Sequence, residues 1–461
     1  MAKALRISVR PVGRVDPADL FRSAVRRREP FFLDSSLRGP ELGRYSFVGA
    51  DPEGWFRSRG RRAAWAAPWS EGTRTGDPLE SLGAFLEALP EGRAGEGARP
   101  FSVGLAGYLS YDLGRTIERL PDDKPRDLGV PDIHLGLYLR HTVVDHIWGE
   151  GFRVAARDVP RFVPPPVPDD LGLPSEPRAI PPLDPDAYVE TVVRAKEAIA
   201  GGDVFQVNLS QRHALPLEGT PAAAFRRLRS LTPSAFGAYF DLGDHQVLSA
   251  SPERFLLSRD GSVETRPIKG TRPRGRTPDS DARLAAELLA SAKDAAENVM
   301  IVDLERNDLG KVCEFGSVHV PRLRALRSLP NVHHLESVVR GTLRKDADVR
   351  DLLRATFPGG SITGAPKPRA MEIIEALEPH RRGVYTGALG RLPLDGSIDL
   401  SLAIRTATVV RGTAYFAVGG GIVADSDPWG EYRETLDKLR GHAEALTSDR
   451  MEVTPHGVRV A

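Results

Sequence analysis

The sequence of 461 residues contains a single cysteine, Cys313. One thiol excludes an internal disulfide, a CxxC zinc site and a redox pair. Neither charge sign dominates: 63 Lys and Arg against 62 Asp and Glu leave a formal net charge of +1. Near-neutrality removes the broad positive field that attracts nucleic acid or an anionic membrane, so any anion recognition must be local. No apolar run approaches the roughly 18 residues of a spanning helix, which argues against a membrane protein. The opening MAKALRISVRPVGRVDP lacks the apolar stretch of a secretion signal; Leu5, Ile7 and Val9 alternate with Arg6, Ser8 and Arg10, as in a first strand. A cytoplasmic protein is therefore expected. His333 and His334 are adjacent, without the spacing of zinc ligands.

Proline is unevenly spread, with ten of the 38 prolines between Pro160 and Pro185. That density favours extended, unpaired backbone. It predicts a linker over 161–185 between an N-terminal region 1–160 and a catalytic domain 186–450. EALPEGRAGEGARP near 87–100 reads as a shorter surface loop. Upstream of the linker, PFFLDSS, RYSFVGA, FSVGLAGYLSYD and HLGLYLRHTVVDHI read as strands. Downstream, DAYVETVVRAKEAIAG has helical spacing, VFQVNLSQRHAL alternates like a strand, and a helix-rich stretch is expected from Asp281 to about Val302. Another helix is expected from Pro366 to Leu377, and EYRETLDKLRGHAEAL should close the domain as a helix. Helices and hairpin-like strands without βαβ regularity predict an α+β fold with large antiparallel sheets.

Several constellations could carry chemistry. Asp294 and Glu297 sit three residues apart on one helix, as do Glu431 and Glu434 on another. Like charges at that spacing repel unless a cation lies between them, and Mg²⁺ takes one or two protein carboxylates with substrate oxygens and water. Acidic pairs are also common on solvated helix faces. The turn TRPIKGTRPRGR gathers Arg266, Lys269, Arg272, Arg274 and Arg276, either as a local anion site or as a solvated basic loop. Burial and cationic neighbours would favour a neutral, nucleophilic Lys269 amine. In FPGGSITGAPKPRAMEII, free amides at the helix start could bind a carboxylate, although a capped turn explains much of the pattern. Gly419, Gly420 and Gly421 in one strand sacrifice packing unless a ligand or another backbone comes close, or a bulge is present.

FQVNLSQR, SASPERF, RPIKGTRPRG, AENVMIVDLERNDLG, FPGGSITGAPKPRAMEII and GGGIVADSDPWGEYRET together resemble the chorismate-binding family, in order from about Asp186 to Leu446. The family includes the large subunits of anthranilate and aminodeoxychorismate synthases and the isochorismate and salicylate synthases. FLDSS, RYSFVGADP and GYLSYDLGR extend the resemblance to the two aminating branches. The resemblance implies two large antiparallel sheets packed face to face with outer helices. Where isochorismate and salicylate synthases carry a water-activating lysine this chain has Gln206, which implies ammonia as nucleophile. Where anthranilate synthases typically read PIAGT it reads PIKGT, the mark of the aminodeoxychorismate branch, whose lysine is thought to attack C2 covalently. By that likeness Lys269 is the nucleophile, Glu253 the general acid for the departing C4 hydroxyl, and His334 lies near the reacting ring. Gly270, Thr271, Ser361, Tyr385, Arg405, Gly419, Gly420, Gly421 and Lys438 match substrate-contacting positions. Glu297 and Glu434 match Mg²⁺ ligands, with Asp294 and Glu431 ligating directly or through water; Asp294 is shorter than the glutamate frequent in anthranilate synthases. The implied product is 4-amino-4-deoxychorismate, on the way to 4-aminobenzoate and folate. No glutamine amidotransferase signature is present, so glutamine-derived ammonia implies a partner subunit. FLDSS corresponds to the region where relatives bind tryptophan. The main alternative is an anthranilate synthase large subunit, which attacks at C2 and releases pyruvate.

Overall fold

The computed structural model describes residues 4–39, 41–92, 101–173, 184–329 and 332–447 with their side chains, and the backbone of 451–454 and 457–460. The N-terminal alternation forms the strand Ile7–Gly13, which pairs with Glu150–Ala156 at the edge of an 11-stranded sheet. From there the sheet runs through Arg140–Asp145, Tyr45–Gly49, Phe31–Asp34, Phe236–Asp241, Gln246–Ser251, Thr406–Val410, Thr413–Ile422 and Gln206–Pro216 to Gly364–Ala365. A 12-stranded sheet begins at Ile268–Pro273 and continues through Val332–Thr342, Ser262–Arg266, Arg254–Arg259, Ile398–Leu402 and Ala388–Pro393. Gly104–Leu109, Ile133–Tyr138, Gly54–Arg59, Arg62–Ala67 and Ser70–Thr75 complete it, and His319–Ser328 pairs on Val332–Thr342. The pairing is antiparallel in both sheets. Each sheet takes strands from both sides of the proline-rich stretch.

The sheets pack face to face. Phe31, Phe47, Val143 and Phe240 of the first meet Leu105, Leu135, Leu389 and Leu400 of the second in one buried cluster. Each such side chain contributes about 1.5–3 kcal/mol on leaving water. Helices cover the other face of the first sheet: Phe21 of Pro17–Ala24, Tyr188 of Pro185–Ala200, Phe225 of Pro221–Leu231 and Leu436 of Pro428–Thr447 pack with Phe32, Tyr239, Leu248 and Phe416. The two antiparallel sheets with outer helices are the expected fold class.

Of the expected linker, residues 174–183 lie outside the described residues, as do 93–100 of the expected surface loop. The part before 174 straps the second sheet: Phe162 and Val167 pack on Trp55, Ala64, Ala66 and Leu171, and Trp55 Nε1 donates to the Pro165 carbonyl at 3.1 Å. The helix-rich stretch expected from Asp281 to about Val302 is two helices, Pro278–Ala290 and Ala292–Gly310, the second running past Val302. They separate at Ser291, whose hydroxyl accepts from the Asp294 amide at 3.2 Å and so starts the second helix.

Candidate active site

Three segments distant in sequence meet at Ser361. Its hydroxyl donates to Glu253 Oε1 at 2.6 Å, and its carbonyl accepts from Lys269 Nζ at 3.0 Å. Ser361 lies in the one-turn helix Gly360–Ile362, Glu253 just before the strand Arg254–Arg259, and Lys269 on the edge strand Ile268–Pro273. The register of that edge strand against Val332–Thr342 slips between Lys269 and Thr271, with Gly270 at φ +78°. A Cβ there would stand 3.0 Å from Asp294 Oδ1. Glycine in PIKGT thus satisfies both the left-handed bulge and the close approach of the acidic helix.

Burial tunes both reactive groups toward the forms that chemistry needs. Loss of water around Lys269 lowers its pKa, only partly offset by Glu297 and Glu253, and Lys438 adds to the lowering. Burial raises the Glu253 carboxyl to about 7 against the opposing Ser361 hydrogen bond and the Lys269 charge. Burial thus moves the amine toward its neutral form and the carboxyl toward its acid form in the same pocket. His334 is driven down to about 4 by burial and then by Arg405, so it is neutral. Its Nδ1 is 2.8 Å from Thr271 Oγ1, while its Nε2 is buried without a protein partner. Arg405, at φ +50°, is moved only by desolvation, and no carboxylate pairs with it among the described residues. Such a guanidinium is suited to an anionic ligand. Tyr385 is buried in the turn before Ala388–Pro393, and loss of water pushes its hydroxyl pKa up.

The glycine strand is regular: Gly419, Gly420 and Gly421 stand opposite Ser210, Leu209 and Asn208 without a bulge. What needs glycine is crowding. A Cβ at Gly420 would lie 2.9 Å from Glu431 Oε2, and one at Gly421 would lie 2.4 Å from Gln206 Nε2. Lys438 Nζ donates to the Gly419 carbonyl at 2.8 Å and pairs with Glu434 at 2.8 Å. Gln206 is fully buried, with neither amide atom partnered by protein. Unsatisfied buried amide atoms mark a position that a ligand can satisfy.

The two helices carrying Asp294, Glu297, Glu431 and Glu434 converge on this pocket. Burial, then the neighbouring acids Asp294 and Glu431, raise Glu297 despite Lys269 and Lys293; burial and Glu434 raise Glu431. Burial opposes the charge of Glu434, but Lys438 prevails and holds it low. Asp294 is engaged by Arg272 at 3.1 Å, and Glu431 accepts from Ser426 Oγ at 2.7 Å. The carboxylates repel one another and do not form a closed cage, a donor set that fits Mg²⁺ sharing its shell with substrate and water. Among the described residues the one tight group of metal-type ligands is elsewhere: His134, Asp244 and His245, within 4.8 Å of one another. Arg57 already donates there, to His134 Nε2 at 3.1 Å and Asp244 Oδ2 at 2.8 Å, so the group is a buried hydrogen-bonded tie.

Three arginines of the basic turn are paired, Arg266 with Glu264, Glu41 and Glu336, Arg272 with Glu287 and Asp294, Arg274 with Asp281, while Arg276 is exposed. At the start of Lys367–Leu377, Lys367 is buried on Asp308 at 2.6 Å and on the Thr356 carbonyl at 2.8 Å. Sequence reasoning missed Glu305, a buried carboxyl raised to about 8 by desolvation and then by Glu253. The available signal was its place four residues after Ile301, on the buried stripe of its helix. The FLDSS segment borders a second cavity of about 300 Å³ between the sheets, lined by Asp34, Ser35, Glu41, Arg44, Arg254 and Arg391 among others.

The sequence pattern of the chorismate binding enzyme family matches residues 14–444, and the chain belongs to that family. It is thus a chorismate-utilising enzyme. It is 41% identical over 404 residues to aminodeoxychorismate synthase component 1 of Salmonella typhimurium, covering 86% of this chain and 88% of that one. It is 40% identical over 468 residues to anthranilate synthase component 1 of Thermus thermophilus, covering 95% and 98%. Among solved structures, anthranilate synthase component I from Streptococcus pneumoniae superposes with a TM-score of 0.74 at 31% identity, covering 87% of this chain and 92% of that one. The menaquinone-specific isochorismate synthase MenF of Escherichia coli, at 18% identity and a TM-score of 0.70, shares the fold. Among the described residues no helix is long and apolar enough to cross a membrane.

Proposed function

We propose that this chain is the chorismate-binding subunit of an aminodeoxychorismate synthase, which converts chorismate and ammonia to 4-amino-4-deoxychorismate for 4-aminobenzoate and folate synthesis in the cytoplasm. The observation that carries the reading is the Ser361 junction, which holds Lys269, its pKa lowered by burial, and Glu253, its carboxyl raised to about 7, in one pocket. Anthranilate synthases typically have alanine where Lys269 stands, so a lysine tuned toward its nucleophilic form favours the aminodeoxychorismate reaction.

In this reading the neutral Lys269 amine bonds to C2 of chorismate while the ring double bonds shift and the C4–O bond breaks. Glu253 gives its proton to the departing oxygen, and water leaves. Ammonia then bonds to C4, the double bonds shift back, and the C2–N bond breaks to restore Lys269. The new ammonium returns a proton to Glu253, and the enolpyruvyl ether stays intact. Arg405, Lys438 and the amides of Gly419–Gly421 bind the substrate's carboxylates, while Tyr385, Thr271 and neutral His334 line its ring. Glu297 and Glu434 would hold Mg²⁺, with Asp294 and Glu431 around them, and the ion would offset the ring carboxylate's charge. A separate glutamine amidotransferase supplies ammonia, and the cavity beside Asp34 and Ser35 is assigned to tryptophan.

Product analysis tests the reading. The pure chain with chorismate, Mg²⁺ and an ammonium salt should give a product that retains the enolpyruvyl group and carries an amine in place of the hydroxyl, and Lys269→Ala should abolish it. Anthranilate plus pyruvate would overturn the proposal, and undiminished turnover by the variant would remove the covalent step.

A further inference from the structure

One residue along from Ser361 the chain meets a buried ion pair that the scheme does not use. Glu378, at the end of the helix Lys367–Leu377, and Arg382, in the turn after it, are 4% and 6% exposed. Two bonds join them: Arg382 Nε donates to Glu378 Oε2 at 2.9 Å and Nη2 to Oε1 at 2.7 Å. The remaining N–H groups reach three other segments. Nη2 donates to the Asn208 carbonyl at 2.7 Å, and Nη1 to the Ile362 carbonyl at 2.9 Å and to Thr386 Oγ1 at 3.4 Å. All five guanidinium donors are thereby engaged. Glu378 Oε1 in turn accepts from the Ser210 amide at 2.8 Å and hydroxyl at 2.9 Å.

The segments so joined differ in rigidity. Asn208 and Ser210 belong to a strand paired without interruption to Thr413–Ile422, opposite Gly421 and Gly419. Ile362 follows Ser361 in a helix of three residues, and Thr386 follows Tyr385 in a turn at φ +60°. A β-branched residue rarely takes that conformation. Its Oγ1 also donates to the Tyr385 carbonyl at 2.6 Å. The Tyr111 ring covers the Arg382 guanidinium at 4.7 Å, and Asp112 accepts from the Gly383 amide at 3.1 Å, so GYLSYDLGR of the N-terminal region packs on the same group. A buried ion pair gains little net stability over apolar packing, because both charges lose water. What this one supplies is a rigid fork with bonds in several directions.

We infer that Arg382, aligned by Glu378, is a positioning residue: it fastens the short Ser361 and Tyr385 turns to the strand that faces the three glycines. Ser361 bonds both Lys269 and Glu253, so the fork sets where those two groups stand relative to each other and to Tyr385. This role rests on the reading of Lys269 and Glu253 as the reacting groups. Lysine at position 382 keeps the charge beside Glu378 but offers three donors from one nitrogen, which cannot span Asn208, Ile362 and Thr386 together.

Steady-state kinetics of the full chain with chorismate, Mg²⁺ and free ammonia test the role. In Arg382→Lys, kcat should fall about tenfold to a hundredfold, the scale set by a misplacement of about 1 Å. KM for chorismate should stay within about threefold of the parent, because the groups assigned to its carboxylates are untouched. Arg57→Lys is the matched control. Arg57 is 5% exposed and also bonds a carboxylate, a ring nitrogen and a carbonyl, those of Asp244, His134 and Leu242, none of which belongs to the site. That variant should lower the melting temperature and leave kcat within about twofold. A kcat that falls no further in Arg382→Lys than in Arg57→Lys overturns the inference, as does a loss carried by KM alone. If Arg382→Lys does not fold, Thr386→Val and Thr386→Ser decide. Valine removes the hydroxyl that accepts from Arg382 and should lower kcat with KM held, whereas serine keeps it and should retain the parental rate; equal rates in the two overturn the inference. Chorismate consumption and product are read separately, so anthranilate as product would overturn the proposed function while the kcat comparison still decides the role of Arg382.

Discussion

Replacing Ser361 by alanine should move the alkaline limb of the reaction upward while leaving Lys269 anchored. The hydroxyl is the donor to Glu253 at 2.6 Å, whereas Lys269 uses the Ser361 main-chain carbonyl, which alanine retains. A hydrogen bond to a charged group is worth about 1.5–3 kcal/mol. Part of it survives when the acceptor is the protonated acid, so the differential is on the order of 1.4 kcal/mol, or about one pKa unit. Glu253, near 7 with the bond in place, should then hold its proton to about one pH unit higher. The sign follows from linkage: the lost donor favours the carboxylate, so its removal favours the acid. The assay is kcat against pH, with total ammonium adjusted so that free ammonia is constant and its own titration does not shape the curve. Ser361→Thr, which keeps a hydroxyl, is the control. A limb that stays in place or moves down in kcat/KM as well as in kcat in Ser361→Ala would refute the assignment of Glu253 as the group whose proton is used.

Gly421→Ala puts a methyl 2.4 Å from Gln206 Nε2 and displaces a side chain with no other protein partner. We expect kcat/KM to fall on the order of tenfold or more with the melting temperature nearly unchanged; an active variant would detach Gln206 from the chemistry. Asp308→Asn leaves the buried Lys367 ammonium uncompensated and should destabilise the fold by about 3–5 kcal/mol in thermal or urea unfolding. A loss below about 1 kcal/mol would show that Lys367 finds another partner or sheds its proton. Glu297→Gln and Glu434→Gln should each raise the Mg²⁺ concentration for half-maximal activity, with chelation abolishing turnover of the parent and added Mg²⁺ restoring it. An unchanged Mg²⁺ requirement in both variants would move the ion off these two helices.

What could be read from the sequence, and what could not, divides along the distance over which a residue finds its partners. The paired acids at Asp294 and Glu297 and at Glu431 and Glu434 were legible because three residues along a helix already fix a shared face. The crowding at Gly419–Gly421 was legible because a strand abandons side chains only when something approaches it closely. The identity of that something, the Gln206 and Glu431 side chains, was not. The basic turn after Thr265 offered an anion site or a solvated loop, and neither reading could anticipate that Glu41 and Glu336 would neutralise Arg266 across 225 and 70 residues of chain. Strands such as Arg62–Ala67, whose sequence RAAWAA does not alternate, carried no periodic signal, because alanine fits either face. Ser361 shows the limit most sharply. Its motif marked it as a substrate contact, yet its observed bonds join residues 108 and 92 positions away. The same hydroxyl cannot donate to Glu253 and to a ligand at once. Ser361 therefore acts on the substrate through Glu253's proton affinity, or else it releases Glu253 on binding and makes it a stronger acceptor. The pH profile of Ser361→Ala separates these alternatives: both require the shift in the free enzyme and hence in kcat/KM, and only the first requires it in kcat as well.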